Sequence, residues 1–179
     1  VNIPSSIEHI GNYAFFNMPS LTSVTFSGQN NIEDIGDFAF ALCKSLPIFE
    51  IGKQTMHIGI SAFGGTADSS FSVDKDNAAY VNFGGAIYSK NYKNLVAYPT
   101  AKNLDSFIVH NSTEKVCAGA FFANSYLKSV NLSKVIVIEE GAFTNCVNLS
   151  LITADNLLKA DLYAFSGTRW LAERENSDD

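Results

Sequence analysis

The feature that most limits how this chain can fold is a short phrase, Ile35-Gly36-Asp37-Phe38-Ala39-Phe40, that returns in altered form along nearly its whole length. Its Ala-Phe pair recurs at Ala14-Phe15, Ala39-Phe40, Ala62-Phe63, Ala120-Phe121, Ala142-Phe143 and Ala164-Phe165, at intervals of 25, 23, 58, 22 and 22 residues. Four residues before each alanine stands Ile10, Ile35, Ile58, Val116, Ile138 or Ala160, and six after most of the phenylalanines stands Leu21, Leu46, Leu127, Leu149 or Leu171. Self-similarity at a fixed period of this size marks an array of stacked units, none of which can bury its apolar edge alone.

The leucine opens a strand signal, L-x-x-φ-x-φ with φ apolar. It reads Leu21, Val24, Phe26; Leu46, Phe49, Ile51; Leu104, Phe107, Val109; Leu127, Val130, Leu132; and Leu149, Ile152, Ala154. Phe71 and Val73 give a further copy with Asp68 in the leucine place, and Val1-x-Ile3 reads as the end of another. Apolar residues at period two indicate a short strand with one face buried. A repeat of 22 to 25 residues built this way falls in the leucine-rich repeat range. The expected fold is therefore an α/β repeat solenoid of about six rungs over residues 1–171, with short parallel strands on one face and the phenylalanine-centred half as the return path. Residues 172–179 read as a polar, solvated tail, and Trp170 as a cover for the apolar end of the core. With no polar cap evident at either end, the chain reads as a piece of a longer array.

The interval of 58 exceeds two repeats, and the excess falls at about 74–103. Ala86-Ile87-Tyr88-Ser89 and Leu95-Val96-Ala97-Tyr98 flank the Asn-rich run 90–94, which predicts a β-hairpin entered through Gly84-Gly85. One phenylalanine half is thus expected to be replaced by a hairpin.

Net charge of −6 argues against nucleic acid or an anionic membrane as partner, since both repel such a surface. Apolar runs such as Val135-Ile136-Val137-Ile138 fall far short of the roughly 20 residues of a membrane helix, so no membrane contact is expected. Of the three cysteines, Cys43 and Cys146 share one slot, three residues after the phenylalanine. Four stacking steps would set them about 19 Å apart, so they are expected to be free and buried; Cys117 is expected to be packed as well.

No catalytic residue, metal site or cofactor is expected. His9 and His57 occupy one slot two rungs apart, too far for a shared metal, and read as exposed side chains. His110 reads as a rim residue. Asp74-Lys75-Asp76-Asn77 has the oxygens of a calcium loop but lacks its glycine and distant glutamate, so an Asx turn is the better reading. Nucleophile-elbow, zincin and phosphate-loop motifs are missing from the sequence. The triplets at Asn111, Asn131 and Asn148 matter only in a eukaryotic secretory route.

The candidate binding surface is the strand face. Thr25, Glu50, Ser72, Ile108, Asn131 and Thr153 lie between the two final apolar strand positions and are expected to point outward. Ser23, Ile48, Ser70, Ser106, Ser129 and Leu151 flank them. Short hydroxyls and amides with a few apolar spots suit a protein or a glycan spread over a wide area, although strands favour Thr and Ser in any case. Tyr92, at the hairpin turn, is the tyrosine expected to be exposed.

The phrase I-G-x-x-A-F, a small residue three places on, then L-x-x-φ-x-φ, resembles the BspA-like (Treponema pallidum type) leucine-rich repeats over about residues 1–171. The hairpin run Ile87-Tyr88-Ser89-Lys90 and Leu95-Val96-Ala97-Tyr98-Pro99 also resembles a module of such proteins. Departures are Cys117, Glu139 and Asp161 in the glycine slot. The resemblance implies a right-handed coil and a cell-surface or secreted protein of a bacterium or protozoan parasite living on a host. It further implies adhesion and binding of a host extracellular or surface protein. A structural spacer, or a carbohydrate-binding surface module, are the alternatives.

Overall fold

The computed structural model describes residues 1–47, 50–67 and 70–176. Each coil lays down two short strands and a turn. One side of the solenoid carries β1 (Asn2–Pro4), β3 (Thr25–Ser27), β5 (Glu50–Ile51), β7 (Ser72–Val73), β11 (Ser106–Ile108), β13 (Ser129–Asn131) and β15 (Leu151–Thr153). A second side carries β2 (His9–Ile10), β4 (Asp34–Ile35), β6 (His57–Ile58), β12 (Lys115–Val116), β14 (Val137–Ile138) and β16 (Lys159–Ala160). The insertion contributes β8 (Tyr80–Phe83), β9 (Ala86–Ser89) and β10 (Asn94–Ala97), and the chain closes on α1 (Arg169–Glu175). Seven coils are present among the described residues, one more than the six expected, because Asn2–Pro4 completes a coil of its own.

Pairing from coil to coil is parallel on both sides, so equivalent residues stack: Ile10 on Ile35 on Ile58, and Val116 on Ile138 on Ala160. The phenylalanines stack likewise, with ring centroids 5.0 Å apart for Phe15 and Phe40, 5.7 Å for Phe40 and Phe63, and 4.6 Å for Phe121 and Phe143. Leu21, Leu46, Leu127 and Leu149 are buried behind the strands, while Ile48, Phe49 and Asp68 lie outside the described residues.

The expected α/β class is corrected. Among the described residues α1 is the one helix, and the phenylalanine half of each coil is a turn. The backbone supplies the reason. The residue before each alanine is left-handed (Tyr13, Phe38, Ser61, Gly119, Gly141, Tyr163), and so is the second residue after each phenylalanine (Asn17, Leu42, Gly65, Ala123, Asn145, Gly167). Two positive φ values within one short segment cannot coexist with a right-handed helix. Parallel strands also line two sides of the coil where one was expected.

Helix α1 crosses the boundary expected at 171. Thr168 caps it by accepting from the Leu171 N–H, and Trp170 packs on Phe165, the last rung of the phenylalanine ladder, at 4.7 Å. The Arg174 guanidinium lies 4.1 Å over the indole.

The predicted hairpin is present as β9 and β10, and β8 extends it to an antiparallel three-stranded meander. Strand β10 also pairs in parallel with β12, so Leu95 takes the isoleucine place and Tyr98 the phenylalanine place, its ring 4.7 Å from Phe121. Strand β9 is buried on both faces. Ala86 and Tyr88 enter the core of the later coils, and Ile87 enters that of the earlier ones. The meander is therefore a partition through the solenoid, and among the described residues no strand ladder crosses it: the first side breaks between β7 and β11, the second between β6 and the β8–β9–β10 sheet.

Side chains take over where the ladders stop. The Tyr80 hydroxyl accepts from Ile58 N–H at 3.0 Å and donates to the Met56 carbonyl at 3.3 Å, closing the free edge of β6. Asn77, fully buried, donates to the carbonyls of Gly52 and Thr55 and accepts from the N–H groups of Ala79 and Tyr80.

Candidate functional site

Alternation along the strands turns the expected residues outward. Phe107 and Val109 are buried while Ile108 between them is 69% exposed. Thr25, Glu50 and Ser72 are exposed, and Asn131 and Thr153 are half-buried. Register groups them into three sets: Thr25 beside Asn2, Glu50 beside Ser72, and Ile108 beside Asn131 beside Thr153. The face is thus three short ladders, separated between β3 and β5 and again at the partition among the described residues, with Ile108 and Leu151 as its apolar spots. Asn131 presents its amide nitrogen, since its carbonyl oxygen accepts from the Ser133 N–H and hydroxyl.

Tyr92 departs from the expectation of exposure. It is half-buried, in a left-handed conformation, and its ring stacks 4.2 Å from His110, beside Phe83 and Tyr88. The packing of His110 explains this: the rim histidine of the fifth coil reaches back to the hairpin turn and covers the tyrosine.

The polar groups singled out from sequence hold structural positions. His9, Asp34 and His57 are in register on β2, β4 and β6, with His57 Nδ1 2.9 Å from Asp34 Oδ1, an exposed pair. In the run 74–77 the Asp76 N–H bonds to Asp74 Oδ1 at 2.8 Å, the signature of an Asx turn, and Asn77 is occupied by four backbone groups. No group of three or more His, Cys, Asp or Glu suited to a metal occurs among the described residues.

All three cysteines are free. The slot shared by Cys43 and Cys146 demands more than small size. Cys43 Sγ donates to the Phe15 carbonyl at 2.9 Å, Cys146 Sγ to Phe121 at 3.0 Å, and Asn124 to Thr100 at 3.2 Å, each reaching the preceding coil. Thr66 and Thr168 fill the same slot and donate to the phenylalanine carbonyl of their own turn. Burial pushes the Cys146 thiol up to about 12 and the Cys117 thiol up to about 11.

The glycine slot is set by close approach. A Cβ on Gly36 would stand 2.6 Å from the Asn12 nitrogen, and one on Gly59 2.5 Å from that of Asp37. In these coils an N–H of the turn is satisfied by the preceding coil, Asp37 N–H by Asn12 and Ile60 N–H by Asp37. In the later coils Glu139 stands in the glycine slot and its carboxylate accepts the corresponding N–H, that of Ala118, from the other side. Turn geometry is preserved by a different donor–acceptor pair.

One concavity was not anticipated. On the turn side, the slot before each alanine reads Tyr13, Phe38, Ser61, Gly119, Gly141 and Tyr163, large at both ends and small between. The result is a groove of about 400 Å³, floored by Ser61, Gly119 and Gly141, with Phe38 and Phe122 at one end and Tyr163 at the other. Aligning the copies reveals the size pattern; only the backbone reveals that it lies on one line.

A family profile described as BspA type leucine rich repeat region matches in six copies over residues 1–83 and 95–175, leaving out the hairpin core. Among solved structures, the pneumococcal vaccine antigen PcpA superposes with a TM-score of 0.81 at 29% identity, over 87% of this chain and 39% of that one. A leucine rich cell surface protein of Faecalibacterium prausnitzii gives 0.73 at 26% identity, over 85% and 40%. A leucine-rich repeat protein of Eubacterium ventriosum gives 0.55 at 16% identity over 94% and 76%, a likeness of fold. The chain therefore spans about two fifths of the first two proteins. A search of curated proteins gives no match.

Proposed function

The chain belongs to the BspA-type leucine-rich repeat family, and from that premise we propose that it is a non-catalytic binding module of a cell-surface or secreted protein, engaging a host extracellular or surface protein through its strand face. Similarity to a protein described as a cell surface protein and to one described as a vaccine antigen supports the location. The observation that carries the binding role is the in-register row Ile108, Asn131 and Thr153, with Leu151 beside it. Its two large apolar residues, Ile108 and Leu151, are 69% and 60% exposed although their neighbours along each strand face the core. Apolar spots set among short polar groups are the composition of a recognition surface.

Replacing Glu50, Ile108 and Asn131 together, as Glu50→Lys, Ile108→Asp and Asn131→Asp, tests the face without touching the core. Retention on immobilised matrix proteins is expected to be lost while the thermal melt is unchanged. Retention equal to that of the unaltered chain refutes the strand face as the binding surface.

A further inference from the structure

The groove on the turn side is independent of the strand face and has its own chemistry. Its end walls are aromatic by a costly choice. Phe38 and Tyr163 have φ of 53° and 57°, a region that bulky side chains rarely adopt, whereas Gly119 and Gly141 occupy the same slot without strain. Tyr163 is 69% exposed and recovers little burial for that strain. Tyr13, one coil before Phe38, shares the conformation, and its ring stacks on Phe38 at 5.3 Å with planes 6° apart, extending the aromatic end. The turn imposes that conformation in every coil, but the exposed ring of Tyr163 and the part of the half-buried Phe38 ring left uncovered by Tyr13 and Phe122 both give onto the groove, where an apolar face is open to a ligand.

The floor narrows the choice of ligand. A Cβ on Gly119 would meet the Ser61 hydroxyl, so the third and fifth coils touch there and the floor is continuous. The backbone N–H groups of Phe38, Gly119 and Gly141 are spent on the carbonyls of Ile60, Glu140 and Leu162 in neighbouring coils, so at these positions the groove offers side chains and not backbone donors. What the groove offers is aromatic faces, the hydroxyls of Ser61, Thr144 and Ser166, and the carboxylate of Glu140. Glu140 is the one charge on its walls among the described residues, and it disfavours uronic, sialylated or sulfated chains. Phe38 and Tyr163 stand four stacking steps apart, about 19 Å.

We propose that this groove binds a neutral, linear, β-1,4-linked glycan, with sugar faces stacked on Phe38 and Tyr163 and the intervening hydroxyls bonded along the Ser61–Gly141 floor. A flat apolar face flanked by hydroxyls is the complement of those walls.

The test is titration of the chain with cellotetraose and with chitotetraose by calorimetry. At least one is expected to saturate the groove. Tyr163→Gly removes a platform while relieving its left-handed strain, and Gly141→Asn fills the floor with a residue that tolerates positive φ. Each is expected to weaken binding about tenfold or more with the thermal melt retained, while the strand-face triple variant binds as the unaltered chain does. The proposal is overturned if neither tetrasaccharide binds at millimolar concentration. It is equally overturned if both groove variants bind normally, if the strand-face variant alone loses binding, or if an extended peptide protects Tyr163 while both sugars fail.

Discussion

At the level of single residues, the left-handed turn positions and the buried hydroxyls make the sharpest predictions. Ala123 has φ of 61° with its side chain half-buried, so Ala123→Gly is expected to raise stability by about 0.5–1 kcal/mol in urea melts, the strain relieved outweighing the added chain entropy. Gly119→Ala runs the other way, since its Cβ would clash with Ser61 in the same conformation. Tyr98 holds the place of a phenylalanine, and its hydroxyl is buried without a hydrogen-bond partner among the described residues. Tyr98→Phe should stabilise the protein by about 1 kcal/mol, the cost of an unmet buried polar group; a destabilised variant would disprove that assignment. Burial raises the folded-state pKa of Cys146 from 9.0 to about 12 and that of Tyr98 from 10.0 to about 12. A raised folded pKa gives stability that is complete below the unfolded value and lost as pH rises towards the folded one. Stability should therefore decline between pH 9 and 12, and a flat pH–stability profile across that window would contradict it.

Elements differ in how far the sequence reveals them. Ladders were readable because each coil repeats its core residues at one offset, so period and spacing fix the stack without knowledge of the backbone. Strands β9 and β10 were readable from two apolar runs around an Asn-rich turn. Strand β8 was not, because Tyr80-Val81-Asn82-Phe83 draws its partners from β9 and from the edge of β6, neither of which its own pattern displays. The turns misled for a related reason: eight of the twelve left-handed positions carry a side chain, so glycine does not announce them. Of the candidate surface, the outward strand residues were legible from alternation, while the burial of Tyr92 depended on His110, eighteen residues away in sequence. The groove was hidden because the slot that builds it contains aromatics, which read as core. Tyr80→Phe tests the device that closes β6. Losing both bonds of that hydroxyl is expected to cost about 1–3 kcal/mol and to speed hydrogen exchange at Ile58.

For the whole molecule, the division of the core into two clusters sets how it unfolds. Phe143 is fully buried between Phe121 and Phe165, and Phe143→Ala should cost about 3–5 kcal/mol. Because nearest-neighbour contacts carry solenoid stability, that loss is expected to fall on the coils after the partition. Hydrogen exchange by mass spectrometry should show faster exchange over residues 107–165 and little change over 3–63; a uniform change would mean that the partition couples the halves rigidly.

The interruption at β8–β10 also decides how this piece of chain carries force. Tension along the axis is borne elsewhere by at least one backbone ladder, the second side running unbroken from β2 to β6 where the first side lacks pairing between β3 and β5 among the described residues. At the partition it passes through Tyr80 and Asn77, through the Thr100 hydroxyl bonded to the Thr66 carbonyl, through the bonds of Phe71 to Gly85 and Asn82, and through the single buried strand β9. Among the described residues the partition is where the strand ladders of both sides stop together, so it is the joint of such a filament, its compliance set by a few side chains and one short backbone contact.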